Sequence, residues 1–164
     1  MPQEIIDVGI VVARHKLKGP WADHAWAPWA VLPVAPDLAS DLAPMTKLEQ
    51  IGETETFFLG RATLTFHSGE TDHYRDNLSS GRPSVWIALN IGEDDRPGLI
   101  LATVDPYEGE ALSIGNGEIL DAVDMPAEIA SRLMAFFEMH HVEHPFFKRK
   151  RDRSESRRRN GDTE

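Results

Sequence analysis

Two stretches of this 164-residue chain hold side chains that bind metals or move protons. In "MHHVEHPFF", His140, Glu143 and His144 spell His-x-x-Glu-His, a spacing used by one class of zinc peptidases. That chemistry needs both imidazoles on one helical face, with the glutamate polarising a zinc-bound water. Pro145 opposes it, because the residue before a proline avoids the helical region and His144 falls where the helix must unwind. The stretch reads instead as a helix C-terminus, where imidazoles meet the negative end of the helix dipole. In "HSGETDH", His67 ends one strand and His73 lies in the next element, with Glu70 and Asp72 between them. A hairpin here would bring His67, Glu70 and His73 within reach of one divalent ion. The competing reading is polar residues at a hairpin tip, present for turn formation and solubility.

Aromatic and basic residues raise a different chemistry. Trp21, Trp26 and Trp29 lie close to "RHKLK", and stacked indoles beside cations can hold bases or nucleotides. Core packing explains three tryptophans more simply, and among functional readings a surface for a protein partner fits them best. Phe146 and Phe147 lead into a basic run that opens with Lys148, Arg149, Lys150 and Arg151, which is either a solvated tail or a docking segment. A Walker loop, Gly-x-Gly-x-x-Gly and Gly-x-Ser-x-Gly are all missing, which weighs against an enzyme. No cofactor is expected.

Composition narrows the field further. There is no cysteine, so disulfides, thiolate catalysis and thiolate metal sites are excluded. The net charge of −10 is unevenly spread. Residues 148–164 carry eight Lys and Arg against four Asp and Glu, a net of +4; residues 1–147 carry nine against twenty-three, a net of −14. An acidic body repels phosphate backbones, so nucleic acid is disfavoured as a partner. The opening "MPQEIIDVGIVVARHK" lacks a basic n-region and breaks its apolar run at Asp7 and Gly9. It reads as a strand, not a signal peptide or membrane anchor, and a cytoplasmic location is the expectation.

The elements that would position these residues follow from periodicity. Residues 4–17 alternate, with Ile6, Val8, Ile10 and Val12 on one face. Pro28 and Pro33 limit "AWAPWAVL" to an edge or irregular strand. Residues 34–53 read as a long loop with at most one helical turn. "TFFLGRATLTFH" alternates, placing Phe58, Gly60, Ala62, Leu64 and Phe66 together. "ETDHYRDNL" is expected to fold back as its partner strand, with a short helix as the alternative because Tyr74 and Leu78 stand at i, i+4. "SVWIALNI" and "LILATV" are apolar enough for central strands, and "EILDAVD" is a seventh. Asp105, Pro106 and Glu108 write a helix start: an N-cap, a proline at N1 and an acid in the first turn. A terminal helix carries Ile129, Leu133, Phe136, Phe137 and His140 at helical spacing. The expectation is an α+β domain over residues 1–147, with a disordered basic tail over 148–164. Its mainly antiparallel sheet of about seven strands, curled or forming a partly open barrel, would be closed by a C-terminal helix. The order of elements allows a pleckstrin-homology-like arrangement.

The pieces "VGIVVARHKL", "PWADHAWAPWAVLP", "ETDHYRDNL", "VWIALN", "DPYEGE", "DMP" and "HHVEHPFFKRKRDR" occur in that order. Together they resemble the bacterial domain-of-unknown-function family 3305, over residues 6–153. The resemblance implies no activity that can be assigned to residues. It does imply a context, since such proteins are encoded beside molybdenum-dependent formate dehydrogenase subunits and their maturation factors. A label of molybdopterin-guanine dinucleotide biosynthesis carried by some members does not suit this chain, which lacks the Leu-Ala-Gly-Gly nucleotidyltransferase loop. The implied role is a non-enzymatic accessory or maturation protein that binds the dehydrogenase or an assembly factor. The alternative is a small-molecule or metal-binding module linked to molybdopterin handling, built on His67, Glu70 and His73.

Overall fold

The computed structural model describes residues 2–20, 23–33, 42–112 and 118–142. The alternation around Ile6–Val12 becomes β1 (Gln3–Lys16), which lies between β2 (His24–Pro33) and β4 (Thr54–His67). With β3 (Thr46–Ile51) beyond β4, the first sheet has the order β2-β1-β4-β3. A second sheet, in the order β6-β5-β7, holds β5 (Ser84–Ile91), β6 (Pro97–Thr103) and β7 (Ile119–Asp124). Every pairing is antiparallel. β2 packs beside β7 and β4 beside β6, so the sheets face one another as open, curled layers and do not close into a barrel. Among the described residues three α-helices complete the fold: α1 (Thr71–Leu78), α2 (Pro106–Ala111) and α3 (Ala127–His140). The expected class, a seven-stranded antiparallel α+β fold with a C-terminal helix, is the one that forms.

Its strands are not all the expected ones. "ETDHYRDNL" is the helix α1, not a partner strand. Asp72, Asp76 and Asn77 are poor strand formers, and Tyr74, at helical spacing, packs its ring against Phe66 and Phe136 from α1. The missing strand comes from the stretch read as a loop, where Thr46–Ile51 forms β3. A two-residue turn joins β3 to β4, with Gly52 at φ 60°, a value that glycine adopts at little cost. The apolar β6 is an edge strand with Ile100 exposed, while β5 is central. β2 is an edge strand as expected, which accommodates Pro28 and Pro33.

Packing explains why β4 departs from simple alternation. Ile10 pairs with Gly60 but Val11 pairs with Phe58, leaving Leu59 as an extra residue in a bulge. Directly paired residues share a face, so Leu64 and Phe66 point into the core with Ile6, whereas Phe58 points to the opposite side with Val11. Phe58 does not share a face with Leu64 and Phe66, contrary to the sequence expectation. A Cβ on Gly9 would sit 2.7 Å from the Phe58 ring, so glycine makes room for that side chain. A second bulge in β2 leaves Trp29 as the extra residue between Pro28 and Ala30.

The core joins Ile6, Val8, Ile10 and Val12 to Val85, Ile87 and Leu89 across the sheets. α3 lays Ile129, Leu133 and Phe136 on it, as the helical spacing predicts. Phe66, Tyr74 and Phe136 meet pairwise at ring separations of 5.6–6.3 Å, tying β4, α1 and α3 together. The Tyr74 hydroxyl accepts a hydrogen bond from the His67 backbone N–H at 2.8 Å. Burial pushes the Tyr74 phenol up to about 12, with the nearby Asp105 and Glu70 charges adding to the shift and the His67 bond opposing it. Between about pH 10 and pH 12 the unfolded chain therefore releases a proton that the folded chain keeps. Stability from this group is complete below pH 10 and falls with rising pH, by about 2–3 kcal/mol at pH 12. Tyr74→Phe should lack this component, and urea midpoints of both proteins from pH 9 to 12 measure it. Parallel curves would refute the assignment.

Candidate functional site

The residues best placed for chemistry gather where α1 meets the start of α2. Chain continuity explains half of the arrangement. β4 ends at His67, a 3-10 turn covers Ser68–Glu70, and α1 starts at Thr71, so Glu70 and His73 stand one turn apart. The other half comes from the second sheet. β6 ends at Thr103, and Asp105 caps α2 by accepting the backbone N–H groups of Tyr107 (2.9 Å) and Glu108 (3.3 Å) on Oδ1. Asp105 is 8% exposed, and its own N–H donates to Thr103 Oγ1 at 3.0 Å. Asn77 locks the two halves in register. Its Nδ2 donates to the carbonyls of Ser84 (2.9 Å) and Val104 (2.8 Å), and its Oδ1 accepts from the Ser84 N–H (2.9 Å).

These constraints place two carboxylates on a single imidazole nitrogen. His73 Nδ1 lies 2.9 Å from Asp105 Oδ2 and 2.9 Å from Glu70 Oε2. One atom from each of Glu70, His73 and Asp105 lies within 4.8 Å of the others. Burial opposes charge on the His73 ring, but the Asp105 hydrogen bond and the charges of Asp105, Glu70 and Asp76 outweigh it and raise the pKa above the ordinary histidine value. Tyr107 covers the imidazole at a ring separation of 4.4 Å and donates its hydroxyl to Asp76 Oδ2 at 2.6 Å. That hydrogen bond, with the Asp76 charge, raises the Tyr107 pKa. The group can hold a proton between two acids or a cation among three donors.

Of the three residues expected to ligate a metal, Glu70 and His73 come together and His67 does not join them. Asp105 stands in its place. The sequence had assigned Asp105 to capping, a role that occupies one oxygen and leaves the second to face His73. His140 is the last residue of α3, with its ring 4.5 Å from Phe136, as expected for a helix end. Trp21, Phe146, Phe147, Lys148, Arg149, Lys150 and Arg151 lie outside the described residues, as do Glu143, His144 and Pro145.

The two described tryptophans of the aromatic cluster part ways. Trp26 is 7% exposed and belongs to the core, so it does not present the surface that the sequence suggested. Its Nε1 donates to the Asp95 carbonyl at 3.1 Å, and Arg14 lies over its ring at 5.6 Å. Arg14 also pairs with Glu55 at 2.9 Å; Lys47 reaches the same carboxylate at 3.1 Å, and these two bonds lower the Glu55 pKa. Trp29 is 43% exposed and points to the opposite side of the sheet, 6.1 Å from the His15 ring. His15 pairs with Thr54, and Thr54 with Ile51, which puts Ile51 on that outer face too. Leu32 (opposite Gly9) and Ile5 also face outward, and all four of Ile5, Trp29, Leu32 and Ile51 are exposed.

Among the described residues no helix is long and apolar enough to cross a membrane. The model of a family described as "Protein of unknown function (DUF3305)" matches residues 7–151, most of the chain. The chain belongs to that family. No curated protein and no solved structure matches it.

Proposed function

We propose that this member of the DUF3305 family is a non-enzymatic accessory protein that grips a protein partner through the outer face of its first sheet. The single observation that carries the reading is the exposure of Ile5, Trp29, Leu32 and Ile51 on one sheet face. Isolated exposed apolar residues are ordinary, but several on one face of a sheet, with a tryptophan among them, suit an interface. The missing catalytic fingerprints favour binding over chemistry. The partner chemistry follows the family resemblance: a subunit of a bacterial molybdenum-dependent formate dehydrogenase, or one of its maturation factors. Residues 148–164, with a net charge of +4, are a second contact for an acidic partner.

The experiment is capture of purified dehydrogenase subunits and maturation factors on the immobilised protein. Trp29→Ala should weaken capture at least about tenfold, since interface tryptophans are common hot spots. Ile51→Asp should act in the same direction by putting a charge on the same face. Wild-type capture by both variants would sink the outer-face reading, and no capture by the wild-type protein would sink the choice of partner.

A further inference from the structure

We infer that Glu70, His73 and Asp105 form a site for one divalent transition-metal ion of the zinc type, at the seam between α1 and α2. This goes beyond the partner-binding reading and does not rest on it. The first reason is stoichiometric. Two carboxylate oxygens, Glu70 Oε2 and Asp105 Oδ2, both lie 2.9 Å from one nitrogen, His73 Nδ1. A single proton there makes one good hydrogen bond, and its second acceptor is served poorly. An ion displacing that proton would bind all three atoms directly. Ligand atoms around an ion at about 2.1 Å stand about 3.0–3.4 Å apart, so the two nitrogen–oxygen spacings need little adjustment, and all three atoms already lie within 4.8 Å of one another.

The second reason is that the site is built in advance. Asp105 is buried and fixed by the bonds to Tyr107 N, Glu108 N and Thr103 Oγ1. Asn77 ties the helix that carries His73 to Val104, the neighbour of Asp105. Supports of this kind orient metal ligands and commonly decide affinity. The third reason is charge. Among the described residues, the ion pairs of both Glu70 and Asp105 run to His73, with no Lys or Arg on either carboxylate. The nearest basic neighbour in sequence, Arg75, pairs with Asp72 at 3.6 Å. The Asp76 charge adds to the negative field around His73. One imidazole and two carboxylates suit a borderline ion such as Zn²⁺ or Co²⁺, and three protein donors leave positions for water or a partner's side chain.

The test uses the full chain purified without a polyhistidine tag, titrated with Zn²⁺ by calorimetry and with Co²⁺ by visible absorption. One ion per chain is expected. His73→Ala and Glu70→Gln should each weaken binding at least about tenfold. Asp105→Asn, which keeps a capping oxygen for α2, should do the same with the circular dichroism spectrum unchanged. No saturable binding of either ion below about 1 mM would overturn the proposal. So would wild-type affinity in both His73→Ala and Glu70→Gln, because the ion would then sit on other histidines.

Discussion

Asn77→Ala should cost the fold about 3 kcal/mol or more, although it removes only one small polar side chain. Asn77 is 2% exposed and spends its whole amide on backbone groups: the carbonyls of Ser84 and Val104 and the N–H of Ser84. Truncation leaves three such groups without their partner, each at about 1–3 kcal/mol where water cannot replace it. Asn77→Asp tests the same point with almost no change in shape. It keeps the acceptor for the Ser84 N–H but turns a carboxylate oxygen toward two carbonyls, and it should be destabilising too. Urea denaturation of the three proteins measures this. A loss below about 1 kcal/mol in Asn77→Ala would mean that water reaches the gap, and that α1 does not depend on the clamp. Because α1 carries His73 toward Asp105, the variant should also loosen the Nδ1–Oδ2 contact between them.

The sequence could not show this clamp, and the reason is general to the fold. Asn77 bonds residues 7 and 27 positions away, and His73 meets Asp105 across 32. Local periodicity reports which face of an element is apolar, not what that face will meet. So β1, with Ile6 to Val12 on one side, was legible, as were the Asp105 cap and the Ile129–Phe136 stripe. Those signals lie within a few residues of one another. Register is different. The bulges at Leu59 and Trp29 exist only relative to a paired strand, and each turns the residues beyond it to the other face. That is why Phe58 looked like a neighbour of Leu64 and is not. Among the described residues the count of seven strands came out right through two offsetting differences: Thr71–Leu78 coiled into a helix, and Thr46–Ile51, hidden in a stretch rich in Pro, Asp and Ala, became β3. The metal cluster was half legible for the same reason. Glu70 and His73 are neighbours on one turn, but their third partner arrives from the second sheet.

Trp26→Ala should destabilise the protein by about 3–5 kcal/mol, the range for truncating a large buried aromatic side chain. Three separate losses contribute. The indole fills space in the core beside Phe57, at a ring separation of 5.6 Å, and its removal opens a cavity. Its Nε1–H holds the Asp95 carbonyl, which fastens the β5–β6 loop onto β2 together with the His24–Asp95 ion pair. Its face also carries Arg14, which lies over Phe57 at 5.2 Å as well. Trp26→Phe separates these losses: it keeps most of the apolar volume and gives up the hydrogen bond, so about 1 kcal/mol of its cost belongs to the Asp95 contact. Chemical denaturation of both variants decides the matter, and a loss under about 1 kcal/mol in Trp26→Ala would contradict the burial of the indole. The distinction bears on every binding experiment with this protein. Reduced capture by Trp26→Ala would report lost fold, whereas the same reduction in Trp29→Ala, whose ring lies on the outer face and is 43% exposed, would report a lost contact. Only the second variant tests the surface, and the first supplies its control.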